Sequence, residues 1–355
     1  MLIWKENLPP TELRKATDLD LSAVKSNIAQ LGRQVLEDKP LSRPEVLSLV
    51  EASKQDPYEL LYWAHQVRKA NFGRKVAFCS IISGKTGGCS EDCKWCAQSA
   101  HSRTPASQSH KAQASDITAA ARSAASVQAG CFCIVHSGRG PSNSDLVGVT
   151  AAAAGLKSLA QETGMNVSSS LGQLDSQKAA ALAAAGVVRY NHNLETSRRF
   201  YSQVVSSHSY DDRLATLAAA RDAGMQLCCG GIFGLGETWE DRIDLAITLR
   251  DEVRPAITPL NFLHPIAGTP LERNQPLAAM EILTIIAIFR LVLPKVDLKI
   301  AGGRELNLRD LQSWIFYAGA TSCLVGNYLT TFGRPAEEDV QMIKDLDLEI
   351  VQRFD

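Results

Sequence analysis

Residues 76–100 read VAFCSIISGKTGGCSEDCKWCAQSA. The first seven form a short apolar run of strand character. A loop follows that carries Gly84, Gly87 and Gly88 and then Cys89, Cys93 and Cys96 in a C-x3-C-x2-C spacing. Barrels of alternating strands and helices place their chemistry in loops at the C-terminal ends of the strands, which is where this loop falls. Working outward, further apolar or β-branched runs begin near Cys131, Met165, Val187, Met225, Ile257, Val296 and Thr321, giving eight in all. Between them lie alanine-rich helical stretches at 116–129, 145–163, 175–185, 210–223, 238–253, 277–293 and 308–318, with a last one from Ala336. Asp or Thr opens several of these, and Gly130, Gly164, Gly186 and Gly224 are placed to close them. The pattern predicts an α/β chain folded as a (β/α)8 TIM-type barrel, with a doubly wound open sheet as the alternative. Upstream, an amphipathic helical pattern from Thr11 to about Ala70, broken at Pro40, Pro44 and Pro57, predicts an N-terminal helical cap over residues 1–70, ahead of a barrel over 71–355. Residues 101–115 read as a loop.

Three closely spaced thiolates leave a tetrahedral zinc ion one ligand short. On a four-iron cubane they hold three irons and leave the fourth open, as a cluster that binds its substrate at the metal requires. The chain has nine cysteines, an odd number, and its N-terminus MLIWKENLPP lacks a secretion signal, so metal or redox chemistry is expected rather than a disulfide framework. With 37 basic and 38 acidic residues the net charge is −1. That balance offers no broad attraction to nucleic acid or to an anionic membrane. The most apolar stretch, residues 282–293, is interrupted by Arg290 and is too short to span a bilayer. A cytoplasmic enzyme acting on small molecules is the expectation.

Along the fourth strand Asn191, Asn193 and Glu195 share one face, and Tyr190, His192 and Leu194 the other. Two amides and a carboxylate facing a barrel interior are costly unless they meet polar ligand groups. The amides suit a ureido ring, and Glu195 suits a ribose diol. His192 reads as a structural side chain. Cys131 and Cys133 fall on one face of the second strand, whereas Cys228 and Cys229 fall on opposite faces of the fifth, so at most one of that second pair can reach a common centre. Gly230, Gly231, Gly234 and Gly236 are not followed by Gly-Lys-Ser/Thr and do not make a phosphate loop.

The C-x3-C-x2-C loop with Trp95 before its last cysteine resembles the signature of the radical S-adenosylmethionine superfamily. Within that superfamily the chain is similar to the biotin synthases through KTGGCSEDCKWCAQSA (85–100), YNHNLETS (190–197), CCGGIFGLGETWEDR (228–242), PLNFLHPIAGTPL (259–271), AGGREL (301–306) and GNYLTTFGRPAEED (326–339). The resemblance implies a 4Fe-4S cluster on Cys89, Cys93 and Cys96 and reductive cleavage of S-adenosylmethionine to a 5'-deoxyadenosyl radical. Sulphur insertion into dethiobiotin, forming biotin, would follow. It implies cofactor contacts from Trp95, Asn193, Glu195 and Ile232, substrate contacts from Asn191, Asn193 and Asn261, an electron donor such as flavodoxin or ferredoxin, and a homodimer. Glu195 stands where the family usually has Asp.

The family also holds a sulphur-donating 2Fe-2S cluster on three cysteines and an arginine, and those positions here read Cys133, Ser168, Cys228 and Lys299. Two of the four differ, and neither exchange is conservative, since a hydroxyl is a harder donor than a thiol and lysine lacks the planar fork of arginine. The expectation is therefore a rearranged auxiliary cluster held by Cys131, Cys133 and Cys228, with Cys79 or Lys299 nearby; Cys133 and Cys228 are the catalytic candidates. Cys229 is a further candidate, and Cys323 reads as core. The altered ligands keep a second enzyme reading open, a sister radical enzyme resembling the hydrogenase maturases or methylornithine synthases. A zinc-bearing nucleic-acid module is disfavoured by the balanced charge and few aromatics.

Overall fold

The computed structural model describes residues 27–354, so the first part of the expected helical cap, residues 11–26, lies outside the described residues. The strands are β1 (Lys75–Thr86), β2 (Ala129–His136), β3 (Asn166–Ser170), β4 (Arg189–Asn191), β5 (Gln226–Cys228, resuming at Gly231–Phe233), β6 (Ile257–Phe262), β7 (Asp297–Ile300) and β8 (Ser322–Leu324). Each pairs in parallel with the next. β8 closes on β1 through Ala77↔Ser322, Phe78↔Cys323 and Cys79↔Leu324. That closure makes a barrel and excludes the open sheet.

The period-two pattern of the strands divides their side chains between two environments. Phe78, Phe132, Ile134, Val167, Tyr190, Leu227, Leu260 and Ile300 point outward into the main core shared with the helices. Cys79, Cys131, Ala301 and Leu324 form a separate group. The strand registers set Cys79 beside Cys131 and Cys133 beside Ser168, and carry the inward row round through Arg189, Cys228 and Lys299.

The connecting helices Asn143–Gly155, Tyr210–Asp222 and Trp239–Thr248 open on capping boxes. Asp145 thus serves from the third helical position, behind Ser142, rather than as the cap itself. Gly164 and Gly224 take the left-handed conformation that ends a helix, φ +73° and +83°. Gly130 does not end one: it lies inside β2, where a Cβ would meet the Gln352 carbonyl oxygen at 1.8 Å. The expected 145–163 helix breaks at Leu156 into two. The expected 308–318 helix is a short helix at Arg304–Leu308, a tight turn and another short helix at Trp314–Tyr317. The loop over 101–115 includes a two-residue strand, His110–Lys111, antiparallel to the end of β1.

Helices α1 (Asn27–Leu36), α2 (Arg43–Ser53) and α3 (Pro57–Phe72) precede β1, and α3 packs on the helix Ala279–Val292. Arg68 of α3 is buried and donates to the carbonyls of Ala320, Gly73 and Lys75, so the barrel's own backbone satisfies its guanidinium. The C-terminal segment Glu349–Val351 pairs in parallel with the start of β1. None of the described helices is long and apolar enough to cross a membrane.

Candidate active site

The cysteine loop leaves β1 through Gly87 and Gly88, at φ +69° and +60°. A Cβ on Gly87 would sit 2.1 Å from the Gln108 carbonyl oxygen, so only glycine permits this crossing. The loop is tied to itself by Gly87 N–H to Gln98 Oε1 at 3.2 Å, Ala100 N–H to the Cys89 carbonyl at 2.8 Å and Cys96 N–H to the Cys93 carbonyl at 3.0 Å. It is tied to residues 204–208 as well: Asp92 accepts from the Ser206 and Ser207 amides and the Ser206 hydroxyl, and Glu91 pairs with His208 Nδ1 at 2.5 Å. Burial works to raise the Asp92 carboxyl, but these donors hold it well below the usual carboxylate range.

A group whose folded pKa is depressed stabilises the fold above its unfolded value, about 4, and this contribution is lost as the pH falls below that. The cluster-free chain is therefore expected to lose thermal stability between pH 6 and pH 3 by a larger margin than its Asp92→Asn variant. Melting curves for the pair at both pH values check this.

Cys89, Cys93 and Cys96 are free of disulfides and line one cavity of about 240 Å³ at the C-terminal end of the barrel. Trp95, Asn191, His192, Asn193, Glu195 and Arg213 line it too. Burial pushes the Cys93 and Cys96 thiols up. Such thiols ionise when a cation takes the charge, which iron does and bulk water there cannot. Among the described residues no three His, Cys, Asp or Glu side chains stand close enough to grip one metal ion. Glu195 is held at φ +70°, with its carbonyl accepting from Ile232 N–H at 2.8 Å. A half-buried acidic residue in the left-handed region at a cavity wall is strain of the kind that functional sites retain. Burial raises its carboxyl pKa, and Arg213 Nη1, 3.7 Å from Oε1, opposes that. Asn193 Oδ1 accepts from Gly230 N–H at 3.1 Å. Asn191 Oδ1 and His192 Nε2 are buried without a partner.

Deeper in the barrel lies a second set of thiols. Lys299 Nζ is 3.6 Å from both Cys79 Sγ and Cys228 Sγ, and Cys131 Sγ is 3.2 Å from Ser168 Oγ. Asn191 Nδ2 donates to Cys133 Sγ at 3.3 Å, so this one amide touches the lower site while its residue lines the upper cavity. Burial pushes the Cys133 thiol up to about 12 and raises Cys228. The Cys131 thiol is drawn down by the hydrogen bond from Cys79 and by the cations Arg189 and Lys299. Burial opposes the Lys299 charge, but the four surrounding thiols raise its pKa. A buried ammonium whose hydrogen-bond partners are sulphurs fits an anionic thiolate-bound group.

Comparison with known proteins joins the two tiers. The Radical SAM superfamily profile matches residues 84–249, and that of the Biotin and Thiamin Synthesis associated domain matches residues 259–349. The chain is 44% identical to the biotin synthase of Geotalea daltonii over 92% of its own length and 98% of that protein's. It is likewise 44% identical to that of Geobacter sulfurreducens, over 91% and 97%. The chain belongs to the biotin synthase family. As a biotin synthase relative it is a radical S-adenosylmethionine sulphurtransferase that carries iron-sulphur clusters. In fold it is similar to methylornithine synthase, with a TM-score of 0.78 at 20% identity over 90% of this chain and 97% of that one. The FeFe-hydrogenase maturase HydG of Carboxydothermus hydrogenoformans gives 0.76 at 15% identity over 94% and 81%.

Against the biotin synthase expectations, the structure gathers Cys79, Cys131, Cys133, Cys228 and Lys299 at the lower site, and Trp95, Asn191, Asn193 and Glu195 at the upper cavity. Cys229 and Cys323 lie in the outer core. Asn261 and Ile232 are not among the upper cavity's lining residues. The Asn261 amide is spent on backbone, donating to the Gly231 carbonyl at 3.1 Å and accepting from Gly302 N–H at 3.0 Å. Gly230 and Gly231 are needed for the close passage of Pro259 and Glu195, whose carbonyl oxygens a Cβ would meet at 1.9 and 2.6 Å. Sequence reasoning missed Arg213 and Arg189. Arg213 falls in the buried stripe of its helix with Tyr210, Leu217 and Ala220, and a cation in such a stripe was the available signal. Arg189 is two residues before Asn191 and so shares its inward face.

Proposed function

We propose that this chain converts dethiobiotin to biotin, with Cys89, Cys93 and Cys96 holding a 4Fe-4S cluster and with Cys131, Cys133 and Cys228 holding the auxiliary one. Cys79 stands as a fourth thiol candidate, and Lys299 is the counter-cation. One observation carries this reading: a single barrel stacks two thiol sites, and Asn191 joins them. Its Nδ2 bonds Cys133, and its buried Oδ1 is a vacant acceptor suited to a ureido N–H.

When bound, the loop cluster supplies the electron that releases a 5'-deoxyadenosyl radical from S-adenosylmethionine, and the auxiliary cluster supplies sulphur. The protein's part is orientation and the exclusion of water. Arg213 positions the Asn193–Glu195 strand end by donating to the Asn193 carbonyl at 2.7 Å and to the Tyr201 hydroxyl at 2.5 Å. Glu195 then faces the cavity as an acceptor for a ribose diol, while Asn191 orients dethiobiotin directly above Cys133. Contacts from Trp95, Ile232 and Asn261 to the cofactor or substrate, a flavodoxin or ferredoxin donor and a homodimer rest on the family pattern, and a cytoplasmic location and the division near residue 70 on the sequence composition and its helical periodicity.

Anaerobic, reduced and reconstituted enzyme given dethiobiotin and S-adenosylmethionine is expected to yield biotin by mass spectrometry. Deoxyadenosine without biotin would move the assignment to the sister radical enzymes whose fold it shares.

A further inference from the structure

Among the described residues the barrel is open at its other end. A cavity of about 1290 Å³ enters from the N-terminal ends of the strands, bounded by Gln226, Ala256 and the C-terminal residues Gln352–Phe354, and reaches Cys79, Cys131 and Lys299 inside. Gln226 and Ala256 are exposed, so the mouth meets solvent. The cavity does not include the upper-site residues, and the lower thiols therefore have a face of their own. Its wall carries the cations Arg74, Lys75, Lys295 and Arg353 beside Glu349, and the buried Asp297, Arg189 and Lys299. Near the rim Arg74 is occupied by Asp347 and Glu349. Asp297 is occupied by the hydroxyls of Thr321 and Ser322. Further in stand Arg189 and Lys299, 93% and 95% buried by the exposures of 7% and 5%. Arg189 donates to Gln226 through Nη2 at 2.9 Å, while its Nε is buried without a partner. A buried guanidinium with a vacant donor, on the wall of a solvent-filled passage that ends at thiols, is a site for a small anion.

We infer that this mouth admits hydrosulphide, drawn past Arg189 to Cys79 and Cys131, so that the auxiliary site is refilled from the face opposite the one that receives S-adenosylmethionine and dethiobiotin. The inference rests on the auxiliary-site reading above and deepens it. Sulphur is consumed with each product, and a bound substrate closes the upper cavity over Cys133. A separate entrance lets inorganic sulphide and ferrous iron return without passing through the radical site. No oxidation state changes in this refilling: hydrosulphide enters as sulphide and passes its proton to water on binding iron, the thiols bind as thiolates, and the iron stays ferrous as the site forms.

Two measurements on the full-length chain test the route. In the cluster-free protein, alkylation of Cys131 by iodoacetate, an anion, is followed by peptide mass spectrometry beside alkylation by neutral iodoacetamide. Arg189→Gln is expected to lower the ratio of anionic to neutral alkylation rates roughly tenfold, the low end for charge-lined clefts, a ratio in which any change in the thiol's own reactivity cancels. Gln226→Trp and Ala256→Trp, at the mouth, are expected to slow both. In the second measurement, refilling with ferrous iron and sodium sulphide is followed by Mössbauer spectroscopy in unsubstituted protein whose loop cluster is intact. Saturating S-adenosylmethionine and dethiobiotin are expected to leave its rate unaltered. The inference is overturned if those ligands block refilling while the tryptophan variants refill and alkylate at the normal rate. Failure of the auxiliary-site reading looks different: no second iron signal would form at all, while Cys131 labelling would still report the passage.

Discussion

Replacing Cys131 with alanine is expected to remove the auxiliary iron signal and cut biotin formation by at least about 10–100-fold, the range seen when even the outer support of a metal site is lost. Reductive release of 5'-deoxyadenosine should persist. The reasons are local. Cys131 lies beside Cys79 in the β1–β2 register, 3.2 Å from the Ser168 hydroxyl, and its thiol is the one the site draws down. Among the described residues no hydrogen bond links it to the loop that carries Cys89, Cys93 and Cys96, which is tied instead to residues 204–208. The matched control is Cys229→Ala or Cys323→Ala. Both thiols sit in the outer core, and loss of one methyl-sized group there costs roughly 1 kcal/mol of stability with no change in iron content. Mössbauer spectra, product analysis and urea melts on the three variants separate a ligand from a packing thiol. An unchanged auxiliary signal in Cys131→Ala would remove it from the ligand set.

The contrast between Cys131 and Cys229 also shows what a sequence can reveal. Strand alternation is local and has a fixed period, so the inward pair Cys131 and Cys133 and the split between Cys228 and Cys229 were legible before any coordinates. Barrel closure was legible from the count of strand–helix units, and the upper site from three cysteines and YNHNLETS. The expectation of Cys79 or Lys299 near the lower site left open which of them arrives, and that depends on register between strands far apart in the chain. Cys79 reaches the lower site only because β1 pairs with β2 at that row, and Lys299 stands between Cys79 and Cys228 because β7 arrives from the opposite wall. Asn261 shows the complementary case: its position matches the family, and in the structure the backbone on either side meets both ends of its amide, which no strand pattern foretells. The N-terminal mouth leaves no mark in the sequence, since the residues that bound it, Gln226, Ala256 and Gln352–Phe354, stand far apart in the chain.

Lys299→Met is expected to weaken iron binding at the lower site by about 10–100-fold while leaving the cluster-free chain at least as stable as the parent. Two opposite physical effects meet at this residue. Within the protein alone, an ammonium 95% buried, given its 5% exposure, among thiols is a cost, because among the described residues no carboxylate pairs with it, Asp297 being held by the Thr321 and Ser322 hydroxyls, and burial opposes its charge. Methionine has a similar reach and no charge to desolvate, so folding loses nothing by the exchange. Once thiolates and sulphide fill the centre the balance reverses, since the same ammonium is then the nearest counter-charge to Cys79 and Cys228 at 3.6 Å. Lys299→Arg keeps the charge but enlarges the head in a packed interior, and is expected to retain more iron than methionine at some expense in stability. The test is a pair of curves for each variant, iron uptake monitored by absorption and unfolding by urea. If methionine lowers stability and spares iron, Lys299 is a packing residue. If it spares stability and loses iron, the barrel carries a destabilising buried cation because the cluster needs one.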